Sequence, residues 1–136
     1  MTSENARTER PAPADLTHLD ARGAARMVDV SEKDRSVRTA RAEAFVECAA
    51  GTLALLRDGT VPKGDVPAVV RIAAVTGAKR TPDLVPLCHP VALTGVDVDV
   101  ALEPGGLRIT VTARAADRTG VEMEALCGAA AGALAA

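Results

Sequence analysis

Aromatic side chains are almost absent from this 136-residue sequence, which has one Phe and neither Trp nor Tyr. That excludes a core built on large rings. It also leaves no aromatic-basic interleaving on which a nucleic acid could stack. The interior must come from Val, Leu, Ile and Ala, each of which buries less area than a ring. At 48% apolar residues the chain can fold, and it gains from adding subunit contacts. A homo-oligomer is therefore expected.

Other absences narrow the function. There is no basic tract, and 16 basic residues against 18 acidic give a net charge of −2, so nucleic-acid binding is not expected. No apolar run approaches the roughly 20 residues that a membrane span needs. The first residues lack the apolar centre of a signal peptide. Cys48, Cys88 and Cys127 are odd in number and widely spaced, which suits reduced cytoplasmic thiols better than a disulfide framework. Neither CxxC nor HxxxH spacing occurs, so no metal site is expected, and Walker A and GxGxxG loops are both missing.

Lysine is scarce as well. Only Lys33, Lys63 and Lys79 stand against thirteen arginines. A lysine in an Arg-favouring chain can supply what guanidinium cannot, an ammonium able to lose its proton.

Residues 1–15 are polar, Pro-containing and without periodicity, and read as a disordered tail. Residues 16–136 read as one domain. Short extended pieces at 16–19 and 27–30 flank Gly23. From Ala40 to Cys48 small or apolar residues alternate with charged ones, which predicts a strand with one wet face, Phe45 being the exception. A helix over 52–58 stops at Gly59, and a second, capped by Asp65, runs to about Gly77. Lys79 to Pro90 reads as loop. Val96, Val98 and Val100, a turn at Pro104-Gly105, and Leu107, Ile109 and Val111 predict a β-hairpin. An Ala-rich helix follows from about Val121. The fold expected is α+β, a ferredoxin-like α/β sandwich whose antiparallel sheet carries helices on one face and lacks its last strand. The sequence stops inside an apolar helix without a cap, so C-terminal truncation is expected.

Four segments carry candidate chemistry. In Val85-Pro86-Leu87-Cys88-His89-Pro90, two prolines stiffen the turn that bears His89, one of only two histidines. Lys63 lies on a turn before a helix N-terminus, whose positive end disfavours a protonated amine. Lys79-Arg80-Thr81 offers two cations and a hydroxyl suited to phosphate. Glu122 and Glu124 are two carboxylates at the start of a helix, fit for acid/base work or simply good dipole partners.

Taken in order, LTH, MVDVSEK, RAEA, KGDV, AKRT, LCHP and TGVEMEAL resemble the cyclic pyranopterin monophosphate synthase family, the molybdenum cofactor biosynthesis protein C group. The resemblance runs from Leu16 to Ala136. It implies a lyase that takes 3′,8-cyclo-7,8-dihydroguanosine triphosphate, releases pyrophosphate and forms the tricyclic cyclic phosphate, with no cofactor. It also implies Lys63, His89 and Glu122 as catalytic groups, and Leu87, Cys88, His89, Met123 and Glu124 as substrate contacts. Lys79, Arg80 and Arg38 resemble the triphosphate cradle. The family is a hexamer, a trimer of dimers with sites at subunit interfaces. Family members continue into a YDM-x-KA segment with a catalytic Asp and a second Lys, which this sequence does not contain. The alternative is therefore an inactive relative that binds a purine or pterin phosphate or serves as an assembly subunit.

Overall fold

A computed structural model describes residues 16–136, and the expected tail at 1–15 lies outside the described residues. The elements are β1 (Ser36–Glu47), α1 (Ala50–Asp58), α2 (Val66–Lys79), α3 (Thr81–Leu84), β2 (Leu93–Glu103), β3 (Gly106–Asp117) and α4 (Glu122–Ala135). The strands form one antiparallel sheet in the order β1-β3-β2. The α+β architecture is the expected one.

Alternation sets the two faces of the sheet. Leu107, Ile109, Val111, Ala113 and Ala115 of β3 point inward and are buried. Their register partners on β1 include Ala40, Ala42, Ala44 and Val46. On β2 they are Val96, Val98 and Val100. Helices α2 and α4 cover this face, α2 over β2 and α4 over β1 and β3. The opposite face is wet and charged. Arg108 donates from Nε to Glu103 Oε1 (2.7 Å) and from Nη2 to Glu103 Oε2 (2.9 Å), and reaches Glu43 at 3.4 Å. Its guanidinium also lies 5.3 Å from the centroid of Phe45. The one aromatic ring therefore sits on the wet face under a cation and takes no part in the core.

The core closes without rings because its two helices approach closely. Val70, Ala74, Gly77 and Ala78 of α2 meet Ala125, Gly128, Ala129 and Gly132 of α4, all buried. A Cβ at Gly77 would lie 2.8 Å from the Cys127 carbonyl oxygen, and one at Gly128 would lie 3.0 Å from Val111 Cγ1. Interior volume is removed, so less side-chain volume is needed to fill it.

Several boundaries differ from the sequence reading. β1 begins at Ser36 and ends at Glu47, because Val37, Arg38 and Thr39 pair with Ala116, Ala115 and Arg114. Arg38 occupies the apolar face there, which hides the alternation. α2 continues past Gly77 to Lys79, since that glycine serves helix contact and does not end the helix. Thr81–Leu84 is a helical turn where loop was expected, with the Thr81 hydroxyl donating to the Ala78 carbonyl at 2.9 Å. β2 and β3 are each longer than predicted, and a register shift between Leu93 and Gly95 marks the start of β2. Among the described residues, no helix is long and apolar enough to cross a membrane.

Candidate active site

The topology brings two connections to one end of the sheet. The Pro86–Pro90 turn leads into β2, and Thr119-Gly120 leads out of β3 into α4. Because β2 begins where β3 ends, with Leu93 opposite Ala115, these segments face one another. Between them lies a cavity of about 210 Å³ lined by Leu87, Cys88, His89, Glu122, Met123 and Glu124. Six residues singled out from the sequence thus share one wall-to-wall space. His18, Val91, Thr119 and Gly120 complete the lining.

The electrostatics divide the acidic groups. Glu124 is buried at 4% exposure, and that burial raises its carboxyl above its ordinary value, to which the charge of Glu122 adds. Burial likewise pushes the Cys88 thiol up, with Glu124 and Cys127 contributing. A neutral thiol is a poor nucleophile, so Cys88 serves as a wall here. Asp29 is held below its usual range, first by the hydrogen bond that its carboxylate accepts from the Ser31 N–H at 2.9 Å. His89 lowers it slightly further, so the two groups lie within electrostatic reach of each other.

His18 reaches the cavity from a small hairpin. Leu19 bridges Ala25, the Arg26 N–H donates to the His18 carbonyl at 2.8 Å, and Asp20 accepts from the N–H groups of Arg22 (2.8 Å) and Ala24 (2.9 Å). Sequence reasoning missed His18 as a cavity residue and Asp29 as an acidic group within electrostatic reach of His89. The available signals were that His18 is half of the histidine complement and that Asp29 interrupts an apolar extended piece.

The cationic residues are placed separately. Lys79 lines an adjoining cavity of about 370 Å³ with Val75, Leu93 and Gly95, and Val91 borders both spaces. Arg80 lies next to it, exposed and 3.8 Å from Asp83. Arg38 stands opposite Ala115, at the same end of the sheet, and its Nε is buried without a hydrogen-bond partner. Such an orphaned donor costs about 1–3 kcal/mol until something accepts from it.

Lys63 is not brought to the cavity within this chain. It lies exposed on the turn closed by the Gly64 N–H donating to the Val61 carbonyl (3.0 Å), just before Asp65 caps α2 by accepting from the Ala68 N–H (3.0 Å). The 14 residues of α2 then span about 20 Å before Lys79 is reached. Among the described residues, no three His, Cys, Asp or Glu are grouped as metal ligands.

Comparison with known proteins identifies the family. The model of the MoaC family matches residues 27–136. A Streptomyces coelicolor protein named cyclic pyranopterin monophosphate synthase is 58% identical over 111 residues, which cover 82% of this chain and 65% of that protein. A Streptomyces griseus protein of the same name is 53% identical over 120 residues, covering 88% of this chain and 68% of its own length. In Mycobacterium tuberculosis, cyclic pyranopterin monophosphate synthase 2 is 53% identical over 112 residues, covering 82% and 67%. The chain thus spans about two thirds of the length of these relatives. With a family match over residues 27–136 and identities above half, this chain belongs to the MoaC family.

Proposed function

We propose that this protein converts 3′,8-cyclo-7,8-dihydroguanosine triphosphate to cyclic pyranopterin monophosphate with release of pyrophosphate, acting as a lyase of molybdenum cofactor biosynthesis. The observation that carries this reading is the convergence of Leu87, Cys88, His89, Glu122, Met123 and Glu124 on one cavity. The names of the relatives support the same activity.

The chemistry divides between two adjoining spaces. A volume of about 210 Å³ is small for a whole nucleotide and suits its ring system. The phosphates then extend past Val91 toward Lys79 and Arg80, where fixed cations stabilise the charge that grows on departing pyrophosphate. Arg38, with its unsatisfied Nε, is a third cation for the same anion. Inside the cavity, burial shifts Glu124 toward its protonated form, which suits a proton donor, while Glu122 and the imidazole of His89 can accept one. Opening one ring and closing another needs both kinds of group. Leu87, Cys88 and Met123 exclude water and hold the rings.

Lys63 enters this reading from a second copy of the chain. It lies at the far end of α2 from its own cavity, so a lysine that acts in the reaction must be supplied across a subunit interface. A symmetric pair, assembled into a cytoplasmic hexamer as a trimer of dimers, provides two such composite sites per pair.

Co-expression tests this arrangement. Lys63→Ala and His89→Ala are each expected to abolish turnover of the cyclised triphosphate. With random pairing, half of the dimers are mixed and each mixed dimer keeps one intact site, so the mixture recovers about a quarter of wild-type activity. A mixture no more active than its parents would place both residues in one chain's site, or Lys63 outside the reaction.

A further inference from the structure

We propose that Gly120 is a positioning residue whose missing side chain makes the room in which the Glu122 carboxylate sits. Glu122 is the first residue of α4, and α4 begins without a side-chain cap. Its side chain folds back over the connection from β3. A Cβ placed on Gly120 would lie 2.6 Å from Glu122 Oε1 and 2.7 Å from Glu122 Cδ, with Oε2 nearer still. These are the three nearest atoms, and all belong to one carboxyl group. An added methyl group would therefore strike this carboxylate before any other group.

The glycine is not required by the backbone. Its φ lies outside the left-handed region, where Gly23, Gly59, Gly64 and Gly105 are found. Alanine at 120 can keep the chain path, and the atoms it displaces are the free end of a flexible side chain. The consequence falls on the cavity, since Gly120, Glu122 and Glu124 all line it and the charge of Glu122 adds to the upward shift of the Glu124 carboxyl. Moving the Glu122 carboxylate shifts one proton acceptor and loosens control of the neighbouring proton donor together.

This inference rests on Glu122 acting in the proposed reaction, and a double-mutant cycle in the full chain separates the two claims. Gly120→Ala is expected to lower kcat about tenfold or more with KM little changed, because the loss is one of orientation. In a Glu122→Ala background the methyl group meets no carboxylate, so adding Gly120→Ala should change kcat less than about twofold. The midpoint of the Glu124 titration, followed by carboxyl 13C resonances, should move in Gly120→Ala in the direction seen for Glu122→Ala alone. An equal loss of kcat in both backgrounds, or an unmoved Glu124 titration, would overturn the proposal. Should the titration move while neither Gly120→Ala nor Glu122→Ala changes turnover, the positioning stands and the catalytic reading of Glu122 fails.

Discussion

His89→Ala in the full chain is expected to lower turnover of the cyclised triphosphate by roughly 10²- to 10⁴-fold, the usual contribution of a positioned acid or base. The imidazole lines the cavity, and Pro86 and Pro90 stiffen the turn that carries it. Asp29, on a separate segment, lies within electrostatic reach of it. Half-buried and outside the hydrophobic core, the side chain can be removed with little effect on folding. Pyrophosphate release, measured alongside thermal unfolding, separates a chemical loss from a structural one. Turnover like that of wild type would remove His89 from the reaction. A parallel collapse of stability would make it a structural residue.

The largest stability effect belongs to the centre of β3. Ile109 is fully buried, with Ala44 opposite it on β1 and Val100 on β2, and its Cγ2 lies 3.2 Å from where a Cβ on Gly132 would be. On the helix side Gly132, Ala74 and Val70 meet at this point, and only Val70 carries a side chain beyond Cβ that could lean into a vacated space. Ile109→Ala should therefore cost about 3–5 kcal/mol, toward the upper part of the range for such truncations. Urea unfolding at fixed protein concentration checks this, with an earlier midpoint and an unchanged slope expected. Arg114→Ala on the wet face removes only an exposed pair with Asp97 and should cost under about 1 kcal/mol. Similar losses for the two variants would mean that the close approach of α2 and α4 is not what holds the core.

The hairpin and the amphipathic part of β1 were legible because alternation with period two is a local property of the chain. The first turn of β1 was not, since Arg38 sits on the inner face, a placement that makes sense only once the sheet end near the cavity is seen. Gly77 misled for a related reason. In sequence a glycine near the end of a helix signals a stop, whereas here it meets Cys127 and Ala131 on a helix more than 40 residues further along. The Pro86–Pro90 turn and the two glutamates were readable as motifs, and only the topology shows that they face each other. The far placement of Lys63 follows from the length of α2, and no local pattern announces it.

The most direct test is to incubate the full-length protein with 3′,8-cyclo-7,8-dihydroguanosine triphosphate and measure pyrophosphate and the tricyclic product together. The account predicts one pyrophosphate released for each cyclic pyranopterin monophosphate formed, with both lost in His89→Ala. Binding without either product, or pyrophosphate release that survives His89→Ala, would contradict it.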